Sequence, residues 1–499
     1  MMKKNLSTYG LYVFLIPVFF VLHGYNQNFG LISFKDCLVL LFTYCFAAAL
    51  IYFFVGLIFK VSQKKALLTA SLISFYLFFG ALLDFFKNNL AWLSKYSVIL
   101  PLFVVLICLL LLFLKKTKNN FTRLTLFLNV LLLLYVVWDL SGITWKSFHP
   151  NNDKLSIYGD EKSNMYHPCN DCKNPDIYFL VFDEYSSSNN LKQVFNYDNS
   201  DLDSFLLQHG FSTQVNSFSN YNFTPFSMAS ILNMNYIKGI KNVNACSVED
   251  YANCNNLIRN NEVIKFLSSR QYDIVNYSIF DLAGNPSIIQ TSLLPVKTRL
   301  ITAQTFYPRM VQDIGWNLFT GRFEIKWLSK NLLYENLNNN NKILKLVKEE
   351  SQLHPARSRF IYAHFEMPHP PFYYDKDLRF RSEEELVAEK TGVHTASYKG
   401  YVPYTNNKIK ELVETIQKNS GDSAVIVLMG DHGYRVEINA SSRSHYFKNL
   451  NAVYLPGKNY GLLKDSVSGV NQFRVLLNSL FKQSLPLLPD TSIFLTDQH

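Results

Sequence analysis

Five apolar runs fill the first part of the chain, at 9–25, 37–59, 66–86, 98–114 and 124–143. Each is near the roughly 20 residues needed to cross a hydrocarbon layer. VILPLFVVLICLLLLFL (98–114) has no polar face, which argues against a buried helix bundle. The first run has no small-residue cleavage site and four more runs follow it, so it reads as retained rather than as a signal peptide. From Asp176 the pattern changes. DIYFLVF, YDIVNYS, RFIYAHF and SAVIVLM are continuous apolar runs of strand length, separated by amphipathic stretches such as DLDSFLLQHG, NEVIKFLSS and NNKIKELVETIQKN. Strands apolar on both faces and alternating with helices predict an α/β domain around a mostly parallel sheet. The expected division is a transmembrane module of five helices over 1–143, a polar connector over 144–175 and a catalytic domain over 176–499.

Basic residues add an orientation. Lys3 and Lys4, then Lys60, Lys64 and Lys65, then Lys115, Lys116, Lys118 and Arg123 occupy alternate loops; the others carry only Lys35, Lys87 and Lys95. The positive-inside rule puts the N-terminus in the cytoplasm and, after five crossings, everything beyond residue 143 on the far side of a bacterial inner membrane. Trp92, Trp138 and Trp145 fall near that outer interface. The net charge of +10 is concentrated in the membrane part, where residues 1–142 hold 12 Lys and Arg against three acidic residues. The remainder is nearly neutral, so nothing calls for a nucleic-acid partner.

Beyond the membrane part there are four cysteines, Cys169 and Cys172 in CNDC and Cys246 and Cys254 in ACSVEDYANC. In an oxidising compartment two short-loop disulfides are expected, with a zinc site as the rival. In parallel sheets ligands bind beyond the carboxyl ends of the strands. There DIYFLVF runs into Asp183 and Glu184, RFIYAHFEM into His369 of PHPPF, and SAVIVLMG into Asp431 and His432. Each has a plain explanation as a cap, a proline loop or a turn; together they point to a metal site. In YNFTPFSMAS, Thr224 precedes a proline at an apparent helix start, where it reads either as a plain N-cap or as a hydroxyl placed at an anion-binding helix terminus.

PDIYFLVFDEY, SNYNFTPFSMASILNMNY, HFEMPHPPF and MGDHG, in this order, resemble the sulfatase-like branch of the alkaline phosphatase superfamily. In architecture the chain is similar to membrane-bound lipoteichoic acid synthases and lipid A phosphoethanolamine transferases. The resemblance implies Asp183, Asp431 and His432 as metal ligands, with Thr224 as both nucleophile and ligand. It implies His369 and His445, and with them His364, as substrate-phosphate or second-metal residues. Glu184 stands where sulfatases have a second aspartate and is a further candidate ligand. Thr224, and the absence of the arginine of the sulfatase C/S-x-P-x-R motif, argue against sulfate esters.

Two carboxylates, an imidazole and an alkoxide suit zinc or manganese, with magnesium a third candidate. A divalent cation lowers the pKa of a bound hydroxyl by many units, which a threonine nucleophile needs. The reading is a phosphotransferase taking a head group, phosphoethanolamine or phosphoglycerol, from a phospholipid donor to an envelope glycan or lipid acceptor through a phosphothreonine. A hydrolase using the same nucleophile and an inactive membrane scaffold stay open.

Overall fold

The computed structural model describes residues 7–148, 156–157, 166–289, 298–311, 313, 333–389, 394–436 and 443–497. The chain divides into two units, Met1–Asn152 with Pro295–Ile325, and Asp153–Leu294 with Lys326–His499. Residues 295–325 therefore group with the N-terminal helices, although the sequence pattern sets them inside 176–499.

The first unit contains α1 (Tyr12–Gln27), α2 (Phe34–Gly56), α3 (Ser62–Leu77), α4 (Phe79–Asn89), α5 (Tyr96–Lys116) and α6 (Thr122–Phe148). Three of them, α2, α5 and α6, are long and apolar enough to cross a membrane, and α3 with α4 make a fourth if the pair is one span. The expectation of five spans is corrected at two places. α1 has 16 residues, about 24 Å of helix against a hydrocarbon core of about 30 Å. The third run is broken by a 67° bend between α3 and α4. Gly80, in the first turn of α4, donates its N–H to the Gln304 carbonyl at 2.8 Å, and a Cβ there would lie 1.9 Å from Gln304 Oε1. Many apolar side chains are exposed, as on Phe42 and Trp138, while Thr69, Thr125, Asn129 and Asp139 are buried. Asn129 accepts from Tyr12 N and donates to the Tyr9 carbonyl, and Asp139 Oδ1 accepts from Asn26 Nδ2 at 3.0 Å, so both tie α6 to the start and end of α1.

The second unit is built on a six-stranded sheet. Its strands are β2 (Ile177–Phe182), β3 (Ser212–Thr213), β5 (Asp273–Tyr277), β6 (Arg359–Phe365), β7 (Val425–Gly430) and β8 (Asn451–Tyr454), in the order β3-β8-β7-β2-β6-β5. A separate antiparallel pair joins β1 (Ser156–Ile157) to β4 (Ile237–Lys238). The four apolar runs become the four parallel neighbours β7, β2, β6 and β5. β8 joins β7 antiparallel and β3 joins β8 antiparallel at one edge, so the sheet is mixed. Every residue of β2, β6 and β7 is buried, which explains why these strands lack alternation. Phe179 anchors the core, stacking on Tyr362 at 5.2 Å and meeting Phe473 edge-on at 5.0 Å.

Helices α7 (Ser188–Phe195), α8 (Ser200–Gln208), α9 (Thr224–Asn233) and α10 (Val248–Arg259) follow β2 in the chain. Cys169 and Cys172 are bridged, with Cα atoms 5.5 Å apart. The expected Cys246–Cys254 bridge is corrected, because both thiols are free and buried. Ser247 caps α10 in a capping box with Asp250, and Cys254 lies about 9 Å along the helix axis from its first residue. Cys246 stays outside the helix, donating its N–H to the Thr496 carbonyl at 2.8 Å. A disulfide needs Cα atoms within about 7 Å.

Candidate active site

Strand register assembles the site. β2 pairs with β6 and β7 so that Phe182 lies opposite both Phe365 and Gly430, and the residues that follow, Asp183, Glu366 and Asp431, leave the sheet at one edge. Glycine is required on either side of Asp431–His432. A Cβ at Gly430 would come within 2.5 Å of the Tyr185 carbonyl, and one at Gly433 within 2.3 Å of the His445 carbonyl.

Asp183, Asp431 and His432, all buried, bring one ligand atom each to within 4.8 Å of one another. His432 Nδ1 donates to the Gly433 carbonyl at 2.9 Å, which leaves the Nε2 lone pair facing the acids. Nε2 lies 3.1 Å from Asp431 Oδ2 and 3.9 Å from Asp183 Oδ1. Asp431 is oriented through its other oxygen, which accepts from the N–H groups of Glu184 (3.0 Å) and His432 (2.9 Å). Asp183 Oδ1, Asp431 Oδ2 and, beside them, His364 Nε2 are buried without a hydrogen-bond partner; His364 Nε2 is 3.8 Å from Asp183 Oδ2. Buried polar atoms are normally satisfied. Acceptors converging on one point fit a divalent cation, and the oxygen-rich donor set fits zinc, manganese or magnesium. The charges are arranged accordingly. Burial pushes the Asp183 carboxyl up, but His369, His364 and His432 outweigh it and hold the group below the usual carboxylate range. Burial and the Asp183 charge push Asp431 the other way.

Thr224 faces this cluster. Phe223 is the N-cap of α9, with no side-chain cap bond, and Thr224 is the first helical residue. The expectation of Thr224 as the cap is thereby corrected by one position. Thr224 Oγ1 lies 3.1 Å from His432 Nε2. Ser227 Oγ, one turn on, donates to the Asp431 carbonyl at 2.6 Å and locks the start of α9 to the end of β7. All ten residues of α9 are buried.

A cavity of about 630 Å³ opens beside the cluster, lined among others by Glu184, Phe223, His369, Tyr434 and Arg435. His369 Nδ1 donates to the Pro370 carbonyl at 2.7 Å. Burial alone lowers this imidazole's pKa, yet Asp183 and Glu184 raise it on balance. The structure does not turn Glu184 toward the metal-type cluster: Oε1 accepts from Arg435 Nε at 2.7 Å. His445 also stands apart, its Nε2 donating to the Val436 carbonyl at 2.6 Å. Two groups escape sequence reasoning. Arg435 follows His432 by three residues, a cation whose spacing alone gives no direction. Asn222 holds the C-terminal segment by donating to the Leu495 carbonyl (3.0 Å) and accepting from Leu495 N (2.7 Å), so Phe494–Asp497 form one wall of the cavity. No local pattern announces a contact 273 residues away.

A carboxylate–imidazole cluster and a hydroxyl thus meet beyond the carboxyl ends of a parallel-centred sheet. The family described as Sulfatase matches residues 204–466, more than half of the chain. The chain belongs to that family, in the sulfatase-like branch of the alkaline phosphatase superfamily. The match begins after Asp183, whose place in the cluster rests on its position after β2 and on the observed geometry. No curated protein matches the chain. Similar solved structures include the periplasmic domain of EptC from Escherichia coli in complex with zinc, with 10% identity over 66% of this chain and 92% of that one and a TM-score of 0.39. The periplasmic domain of the phosphoethanolamine transferase EptC from Campylobacter jejuni shows 15% identity over 64% and 93%, with a TM-score of 0.36. The phosphonate monoester hydrolase of Agrobacterium radiobacter shows 12% identity over 61% and 73%, with a TM-score of 0.35.

Proposed function

We propose that the chain is a membrane-bound, metal-dependent phosphotransferase that moves a phospholipid head group, phosphoethanolamine or phosphoglycerol, to a hydroxyl of a cell-envelope glycan or lipid. The observation that carries this reading is the position of Thr224 Oγ1, free of any capping bond and 3.1 Å from His432 Nε2 at the edge of the Asp183–Asp431–His432 cluster. These three residues and His364 are the ones that would hold a divalent cation, zinc or manganese before magnesium. When bound, the cation supplies a lowered hydroxyl pKa and neutralises phosphoryl charge.

Thr224 attacks phosphorus in line, the bond to the diacylglycerol oxygen breaks, and a phosphothreonine ester remains. An acceptor hydroxyl then displaces Thr224. The N-terminus of α9 offers free N–H groups to the phosphoryl oxygens, and buried Asp431, fixed by two backbone donors, keeps His432 and Thr224 in register. The loops rich in lysine between α2 and α3 and between α5 and α6 mark the cytoplasmic side, so the end of α6 and the catalytic unit lie outside the inner membrane. That assignment does not depend on whether α1 spans.

Mass spectrometry of envelope glycans and lipids from cells carrying the wild type or Thr224→Ala tests the reading. Head-group adducts that vanish in the variant, with diacylglycerol release lost in parallel, are the expected result. Free head-group phosphate without any adduct would make the enzyme a hydrolase.

A further inference from the structure

We propose that Arg435 is the binding residue for the tetrahedral oxyanion of the substrate ester and that Glu184 is its positioning residue. This rests on the phosphotransfer reading for the identity of the ester, while the anion site itself is read from this chain's side chains. Glu184 directly follows Asp183, yet it adopts a left-handed backbone, φ 61°, which a non-glycine residue enters only at a cost. Three contacts hold it there. Its N–H donates to Asp431 Oδ1, its carbonyl accepts from Tyr398 Oη at 2.9 Å, and its carboxylate accepts from Arg435 Nε. The strained turn swings the second acidic side chain away from the metal-type cluster and onto the guanidinium.

The other side of Arg435 is set by Phe223, whose ring centre lies 5.3 Å from the guanidinium carbon. Phe223 is the residue immediately before Thr224. One partner is thus attached to a cluster ligand and the other to the nucleophile, so the guanidinium is registered against both. Of its five N–H donors, the one on Nε is used. The terminal nitrogens make no hydrogen bond to another described residue, and the side chain is 27% exposed, on the wall of the 630 Å³ cavity beside His369. A guanidinium held at Nε and open at both ends matches two oxygens of one phosphoryl or sulfuryl group. A carboxylate that might have been a further ligand therefore serves to aim a cation, and the site meets its anion with one metal-type cluster and one fixed arginine.

The test uses the full chain in detergent, loaded with zinc, and inorganic phosphate and inorganic sulfate as separate probes. Each anion's affinity is read from its concentration-dependent rise in Tm, and zinc content from elemental mass spectrometry. Arg435→Ala is expected to weaken phosphate binding by about 10- to 100-fold, the range of a charge-assisted hydrogen-bond pair, with zinc content unchanged. Arg435→Lys should recover part of it, keeping the charge without the fork. Glu184→Gln should weaken phosphate binding by a smaller factor and also retain zinc. Stronger binding of phosphate than of sulfate places phosphate esters in the site; the reverse order assigns the same arginine to sulfate esters. Wild-type phosphate affinity in Arg435→Ala, or loss of zinc in Glu184→Gln, would overturn the proposal. Failure of the phosphotransfer reading shows differently, as activity surviving in Thr224→Ala while Arg435 still governs anion affinity.

Discussion

Thr224 is a residue whose position in the helix decides its role. At the cap its hydroxyl would be spent on a backbone N–H; one residue later it faces His432. Thr224→Ala should therefore abolish turnover yet change stability by less than about 1 kcal/mol, the value of a cap that is not made here. Activity assay and thermal unfolding of the same preparation check this. Asp431→Asn and His432→Ala should lose metal as well as activity, because each removes a buried ligand atom from the Asp183–Asp431–His432 cluster; metal content after dialysis distinguishes them from Thr224→Ala. Asn222→Ala leaves the backbone N–H and carbonyl of Leu495 unpaired, at about 1–3 kcal/mol each, and should lower both Tm and activity by releasing the wall of the cavity. Asp183, Asp431 and His432 were legible in the sequence because a ligand-type residue directly follows an uninterrupted apolar strand. Arg435 and the true partner of Glu184 were not, since a pairing across the sheet edge leaves no periodic trace.

At the scale of elements, the strands β2, β6 and β7 were read at nearly their observed limits because burial on both faces makes them nearly continuous apolar runs, and the edge strand β5, where only Asn276 is buried, was read from its short apolar run. β8, four residues long and antiparallel, and two-residue β3 fall below what such a pattern can signal. The cysteine pair shows the opposite error. Even numbers and proximity in sequence suggested a bridge, but Cys254 lies within a capped helix that begins after Cys246, and both thiols are free. Peptide mapping without reduction should find Cys169 joined to Cys172, and Cys246 and Cys254 alkylated only after unfolding. A Cys246–Cys254 peptide would contradict the helix start at Val248. Losing the Cys169–Cys172 bridge should cost less than the ~3 kcal/mol of a 15-residue loop, because the ring it closes is so short.

For the whole molecule, the helix count is what hydropathy reads least well. Hydropathy summed over a run cannot see the 67° bend at α3–α4 or that α1 stops at 16 residues, whereas basic loops bias orientation whatever the exact number of spans. A periplasm-dependent reporter fused after residue 150 should be active and one fused near Lys116 inactive; the reverse would place catalysis in the cytoplasm. The central claim is that Thr224 carries the phospho-group between donor and acceptor. It is tested most directly by incubating the metal-loaded protein with phospholipid and no acceptor, quenching in acid and mapping the peptides by mass spectrometry. A head-group phosphate adduct is expected on the peptide that contains Thr224, formed in the wild type and absent from Thr224→Ala. An adduct on another residue, or lipid turnover that persists in Thr224→Ala, would contradict it.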